Sequence, residues 1–334
     1  MKKFLWLFLF LFLLTGCGKE KPAERGFFAM DTYMTFTAYG PNGEAALEKA
    51  EARVHEIEDA LSVTKEGSDL SRVNHGEDIA LGEDAERVIS AGLSLGKETD
   101  GALDISLYPL SKAWGFTTGK YRVPEKAEIK TLLSQKGIGK ISISGNHIQK
   151  PSGMEIDLGA LGKGYAGSEA KRIVKEAGVT SAILSLGGNI ETLGEKPDGS
   201  PWRVGIKSPL GDGNGAVLSV RNQAVITSGT YERYFIDKDG RKRHHILNPK
   251  TGEPVENTLL SLTVVTDDGL LGDGLSTALF VMGKEKAKVY WKAHPGLELL
   301  LIEKSGEITI TEGLEKCMEI PAGGPCYRGE VWRR

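Results

Sequence analysis

The sequence predicts an α+β fold, a single domain with a mixed, largely antiparallel sheet packed with helices. Three observations carry that expectation. Strand-like segments come several to each helical one, the regular alternation of strand and helix that builds a parallel sheet is missing, and turn signals such as Asp239-Gly240 join neighbouring strand-like runs. No low-complexity linker divides the 334 residues.

The elements follow in chain order. Phe28 to Ala38, "FAMDTYMTFTA", alternates apolar and polar residues and is rich in Thr, Tyr and Phe, so it predicts a strand. Glu44 to Leu61 carries Ala46, Leu47, Ala50, Val54, Ile57 and Leu61 at helical spacing, and Asp84 to Thr99 repeats the pattern with Ala85, Val88, Ile89, Leu93 and Leu95. "GALDISLYPLSKAWGF" is a turn and mixed segment broken at Pro109. Short strands are expected at Ile141 to Ile143, His147 to Lys150 and Ile156 to Leu158. Tyr165 to Ala177 has a helical face of Ala166, Ala170, Ile173, Val174 and Ala177 and is stopped by Gly178. "SAILSLGGNI" is a buried strand entering a Gly-Gly turn. Strand-like "WRVGIKSP", "AVLSVRNQAVITSG", "YERYFIDKDGRKRHHILNP" and "LSLTVVT" follow, then helices over Gly274 to Met282 and Glu285 to Ala293, and a last hairpin, "LELLLIEKSGEITI".

The N-terminus reads as an export signal. Lys2 and Lys3 precede an unbroken apolar run, Phe4 to Leu14, too short for a comfortable membrane span, and Leu14-Thr15-Gly16-Cys17 resembles a lipobox. Residues 1–16 are then a lipoprotein signal peptide, Cys17 the lipidated first residue of the mature chain, residues 17–26 a tether, and residues 27–334 the folded domain. An ordinary secretory signal with a chance cysteine is the alternative. The protein is expected on a bacterial membrane, facing the periplasm or the cell exterior. In that oxidising setting Cys317 and Cys326 are expected to form a local disulfide, with a free pair as the alternative. Lys and Arg number 42 against 45 Asp and Glu, interspersed, so nothing asks for nucleic acid.

Several segments could carry chemistry. "EIDLGALGKGYAGSEA" (155–170) enters a helix through glycines at 159, 162 and 164, the reverse of the dinucleotide fingerprint, and it lacks the Ser or Thr that follows the lysine of a P-loop. Its glycine amides and Lys163 could meet an anion; equally, the glycines could serve close packing. In "DDGLLGDGLSTALFVMG", Asp273 and Thr277 lie four residues apart on one helical face, an oxygen pair suited to Mg²⁺, or else Asp273 caps the helix. Paired His244 and His245 point to opposite faces of a strand, so one is expected to face a site as a proton acceptor. Arg233 in "TSGTYERYF" has an anion-binding reading and a strand-packing one.

Taken together, "AMDT", "SRVN", "GALDIS", "DLGALGKGYA", "LGGN", "TSGTYERYF", "HHILNPKTG" and "DGLSTALFVMG", in this order from about Phe28 to Glu303, resemble the ApbE family of bacterial FAD:protein FMN transferases, many of them lipoproteins. The resemblance implies that Mg²⁺ binds the FAD pyrophosphate, that a Thr or Ser hydroxyl of an acceptor attacks the FMN phosphorus, and that AMP leaves. The acceptors it implies are extracytoplasmic domains of membrane redox complexes, such as sodium-pumping quinone reductase or related electron-transfer subunits. Met30, Ala102, Leu103, Asp104, Asp157, Lys163 and Ile246 match FAD-contacting positions, and Asp31 stands where glycine is usual. Ala160, through its carbonyl, Asp273 and Thr277 match the metal ligands, and His245 matches the histidine that deprotonates the acceptor. Thr64 occupies a position where many members carry an aromatic that stacks on FAD; a short hydroxyl cannot stack. An Mg²⁺-dependent FAD pyrophosphatase and a non-catalytic FAD-binding lipoprotein are the alternatives. AMP without acceptor labelling marks the first, and tight FAD binding without AMP the second.

Overall fold

The computed structural model describes residues 21–334; the signal segment and Cys17 lie outside them. Two strands, β1 (Ala23–Ala29) and β2 (Thr32–Tyr39), form a hairpin where a single strand over Phe28 to Ala38 is expected. The turn is Met30-Asp31, with φ of 49° and 62°, and Ala29 pairs with Thr32 across it. A two-residue hairpin needs positive φ at both central positions, normally supplied by Asn and Gly. Without that signal the alternation runs on through the turn unbroken. Strand β1 also begins inside the span expected to be tether, because Ala23 to Gly26 pair with Ala38 to Thr35.

Next come α1 (Gly43–Leu61), α2 (Asp69–Asn74), α3 (Glu83–Glu98), α4 (Tyr108–Trp114) and α5 (Lys126–Gln135). Pro109 lies in the first turn of α4 instead of breaking the segment: proline fits there, where no N–H is needed. A small hairpin, β3 (Ser142–Ser144) and β4 (His147–Gln149), is followed by residues 156–158, which are expected to be a strand and are not one. Their backbone partners are a side chain and a loop, described below. Helix α6 (Gly162–Glu176) starts three residues earlier than the apolar spacing indicates, leading into β5 (Ser181–Leu186) and β6 (Asn189–Leu193). Strands β7 (Trp202–Lys207), β8 (Asn214–Val220), β9 (Ala224–Gly229), β10 (Tyr234–Ile236), β11 (Lys242–His244) and β12 (Leu259–Thr266) follow, with β10 and β11 folded back about Asp239-Gly240. Helices α7 (Gly269–Met282) and α8 (Lys284–Ala293) precede β13 (Glu298–Glu303), β14 (Glu307–Thr311), β15 (Met318–Glu319) and β16 (Tyr327–Trp332).

Among the described residues the main sheet has nine strands in the order β1-β2-β5-β6-β9-β12-β13-β14-β16, antiparallel except for the parallel pair β14 and β16. A three-stranded sheet, β15-β8-β7, lies on one of its faces and helices α1, α6 and α7 on the other. Successive side chains of a strand point to opposite faces. Leu299 and Leu301 of β13 therefore join the core under the helices, while Leu300 and Ile302 join the core between the sheets. With both faces covered, Leu299 to Ile302 is apolar throughout instead of alternating. Cys317 and Cys326 edge the second core as free thiols, Cys326 beside the Ser208 hydroxyl at 3.8 Å, so the expected disulfide is absent. A chain with cores of this extent does not depend on that staple.

Candidate functional site

The helix α7 begins five residues before the start expected from its apolar spacing. Asp268 is its N-cap, accepting the Leu271 N–H at 3.1 Å, so Asp273 is not the cap but sits inside the helix. Asp273 is buried, and its Oδ2 accepts the N–H of Gly164 at 2.8 Å from the first turn of α6. The two helices come that close because of Gly164, where a Cβ would stand 2.1 Å from the Gly269 carbonyl oxygen. Close packing is thus one job of the glycine-rich run. Ser168 fixes the same crossing by accepting the Gly269 N–H at 3.0 Å.

The Gly164 N–H would otherwise reach back to the carbonyl of Ala160, as helix geometry dictates. Directed to Asp273, it leaves that carbonyl without this partner. Thr277, one turn beyond Asp273, has its hydroxyl 3.1 Å from Ser228 Oγ of the "TSG" segment on β9, and Ser228 Oγ is 2.8 Å from Ser276 Oγ. Burial pushes the Asp273 carboxyl above the usual range, against the opposing pull of the Lys163 charge and the Gly164 N–H.

Ile156 is clamped by Asn74 of "SRVN". Its Nδ2 donates to the Ile156 carbonyl and its Oδ1 accepts the Ile156 N–H, both at 2.8 Å, while the Asp157 N–H donates to Ile105 at 2.8 Å. Asp157 Oδ1 in turn accepts the Gly159 N–H at 2.8 Å. Burial raises its pKa, opposed by that hydrogen bond and by the charges of Arg233 and Lys163. Replacing Asn74 with Ala leaves both Ile156 groups unpaired. A loss of about 2 kcal/mol is expected, with a weaker apparent affinity for FAD, measured by urea unfolding and flavin fluorescence; unchanged values for both would refute the clamp.

His245 lies just beyond β11. Its N–H and its Nδ1 both meet the Arg233 carbonyl, at 3.0 and 3.2 Å. A carbonyl can only accept, so Nδ1 carries the hydrogen and Nε2 keeps its lone pair. Burial, with the charges of Arg233, His244 and Lys163, pushes the imidazole down to about 4, and the Arg233 carbonyl only partly counters this. His244 faces the other way, its Nε2 3.0 Å from the Val255 carbonyl and its ring edge-on to Phe280. Ile246 is buried beside them.

One cation therefore acts on three groups from separate segments: the charge of Lys163 bears on Asp157, Asp273 and His245 together. Arg233, whose charge bears on Asp157 and His245, pairs with Asp31 at 2.9 Å and so ties the Met30-Asp31 turn to them. The Met30 N–H donates to Glu58 at 2.8 Å. Thr64 is exposed, its hydroxyl 3.2 Å from Ser62 Oγ. Leu103 is buried against the α7 glycine Gly274, and Ala102 is half-buried. The carboxylate of Asp104 is already engaged, by the Ser106 N–H at 2.9 Å, the Ser106 hydroxyl at 2.5 Å and Lys136 at 2.9 Å. At this position only backbone is left to offer a ligand. The roles of Asn74 and Ser228 are not legible from spacing, although each lies in a quoted motif.

The ApbE family model matches residues 30–301. A protein of Klebsiella pneumoniae (strain 342) named FAD:protein FMN transferase is 32% identical over 277 residues, 80% of this chain and 85% of its own. A protein of the same name from Vibrio cholerae serotype O1 is 30% identical over 322 residues, 92% and 95% of the two chains. The ApbE protein of Thermotoga maritima superposes with a TM-score of 0.83 at 31% identity, covering 89% of this chain and 99% of that one. The flavin transferase ApbE from Vibrio cholerae gives 0.81 at 26% identity, with the same coverage. The α+β architecture is thus shared with these proteins, and the chain belongs to the ApbE family.

Proposed function

We propose that the protein is an enzyme that transfers FMN from FAD to a Thr or Ser hydroxyl of an acceptor flavoprotein, releasing AMP. The observation that carries this reading is the convergence of Asp157, Asp273 and His245 on Lys163, in a chain whose relatives bear the name of that reaction.

The residues suit Mg²⁺. Among the described residues no three His, Cys, Asp or Glu side chains gather as a metal site, so a cation here would rely on one carboxylate and uncharged oxygens. Asp273, the Thr277 hydroxyl and the Ala160 carbonyl are hard oxygen donors of that kind, and a carboxylate destabilised by burial has reason to take a cation. When bound, Mg²⁺ offsets the charge of the pyrophosphate. The chain's own groups do the rest. Lys163 sits where it adds positive charge beside the phosphates, and Asp157 and the glycine loop orient the nucleotide. Nε2 of His245 takes the acceptor's hydroxyl proton as its oxygen bonds to the FMN phosphorus and the bond from that phosphorus to the AMP oxygen breaks.

A second reading, hydrolysis of FAD to FMN and AMP, is favoured by one observation: Thr64 offers an exposed hydroxyl where an aromatic would stack on the flavin nucleotide. In the cell we place the protein on a bacterial membrane through lipid on Cys17, facing the periplasm or exterior. Its acceptors there are extracytoplasmic domains of sodium-pumping quinone reductase or related electron-transfer complexes. Intact-mass analysis tests the transfer. The acceptor domain should gain one FMN only when FAD, Mg²⁺ and this protein are all present; AMP without a mass gain would replace transfer by hydrolysis.

A further inference from the structure

Arg233 brings a charge to the site that the transfer chemistry leaves unused. The segment that bears it runs between the two ends of the reaction. Ser228 Oγ lies 3.1 Å from the Thr277 hydroxyl, and the Arg233 carbonyl meets the N–H and Nδ1 of His245 at 3.0 and 3.2 Å. A phosphoryl group between a cation at Thr277 and the base at His245 therefore lies alongside residues 228–233. The Arg233 charge bears on both Asp157 and His245, on each more strongly than that of Lys163.

The Arg233 side chain is 46% exposed, so a ligand can reach it. Among the described residues its one side-chain hydrogen bond runs from Nη2 to Asp31 Oδ2 at 2.9 Å, which leaves Nε and Nη1 without a protein partner. Asp31 is 77% exposed, and an ion pair so open to solvent adds little to the stability of the fold. Nor does the Met30-Asp31 turn depend on it. Glu58 accepts the Met30 N–H at 2.8 Å, Ala29 pairs with Thr32 across the turn, and Thr32 packs on Gly187, where a Cβ would stand 2.3 Å from Thr32 Oγ1. A guanidinium fork with two unused donors, tied by one bond to an exposed carboxylate beside a phosphate site, can exchange that carboxylate for a phosphate.

We propose that Arg233 binds the FAD pyrophosphate and that Asp31 is its competing counter-ion, which the phosphates displace. This rests on the reading of FAD as the substrate and adds a residue to that site. The two members of the pair then act with opposite sign. Loss of the Arg233 fork takes donors from the phosphates, whereas loss of the Asp31 charge releases the fork and removes an anion that repels them. A pair that served only to tie the turn to the base would act with one sign, each loss weakening the site.

The test is equilibrium binding of FAD to the full chain in Mg²⁺-free buffer, followed by flavin fluorescence. Arg233→Gln should raise the Kd for FAD on the order of 10-fold or more. Asp31→Asn should lower it about two- to fivefold; asparagine tolerates the φ of 62° at that position. Arg233→Lys, which keeps the charge and loses the fork, should lie between Arg233→Gln and the wild type, and all three should melt as the wild type does. Because phosphate contacts are screened, the Kd for FAD should rise with salt less steeply in Arg233→Gln than in the wild type. Unchanged FAD binding in Arg233→Gln overturns the inference. So does weaker binding in both Arg233→Gln and Asp31→Asn, which would make the pair a structural tie, and so does an unaltered salt dependence, which would place Arg233 on an uncharged part of FAD. A chain that shows the opposite responses yet releases no AMP with Mg²⁺ and acceptor present refutes the transfer reading and leaves Arg233 as the phosphate ligand.

Discussion

Asp273→Asn is expected to abolish Mg²⁺-dependent AMP release from FAD while leaving the fold intact. The amide oxygen of Asn can still accept the Gly164 N–H that Asp273 now accepts at 2.8 Å, so the crossing of α6 and α7 is preserved. What disappears is the negative charge. A cation at a phosphoryl group contributes several kcal/mol of charge stabilisation, so a loss on the order of 10³-fold or more is expected. The same substitution carries a stability signature. Burial raises the folded pKa of Asp273 above its unfolded value, so its contribution favours folding below the unfolded pKa and turns against folding as pH rises and the group ionises. In metal-free buffer near neutral pH, Asp273→Asn should therefore melt above the wild type, and added Mg²⁺ should raise the melting temperature of the wild type only. Retained AMP release, or equal stabilisation of both proteins by Mg²⁺, would show that Asp273 does not hold the metal.

His245→Ala should lower the rate of acceptor labelling by about 10²- to 10⁴-fold, the range for loss of a positioned base. Its pH signature is more specific than its size. Because burial and neighbouring positive charge push the imidazole down to about 4, Nε2 is unprotonated throughout the neutral range. At saturating Mg²⁺, which keeps Asp273 ionised, kcat/KM should stay flat from neutral pH down to roughly 5 and fall only toward 4. An acidic limb at the ordinary histidine value, or a limb that survives in His245→Ala, would remove His245 from the role of base. The linkage to stability has the matching sign. A depressed folded pKa stabilises the fold fully above the unfolded value of about 6.5, and that contribution is lost as pH falls through about 4.

Much of the fold was legible because burial leaves a periodic record. Helices α1 and α3 end within a residue or so of the expected limits, since each presents one apolar stripe to the core. The failures have local causes. Helix α7 is buried nearly all round, so it has no stripe to mark its start, and the expected start fell five residues late. A start at Gly274 would make Asp273 the cap; Asp268 holds that place instead. The Met30-Asp31 turn was hidden because its residues do not advertise positive φ. Residues 156–158 read as a strand from their apolar spacing, but Asn74 and Ile105 take the hydrogen bonds of Ile156 and Asp157 that a neighbouring strand would.

By itself the sequence determined the class of fold, the family resemblance, and which residue types were available for phosphate and metal chemistry. All of these are properties of order and spacing along one chain. The tertiary structure decided what "DLGALGKGYA" is for: Gly164 admits α7 to the α6 N-terminus, and Asp273 takes the N–H that would otherwise close on Ala160. It decided that the charge of Lys163 bears on Asp157, Asp273 and His245 together and that Asp104 is already engaged by its neighbours. The physical reason is common to these cases. Hydrogen bonding and charge depend on distances between groups remote in sequence, as Gly164 and Asp273 are at 109 residues apart, and periodicity along the chain carries no record of such distances.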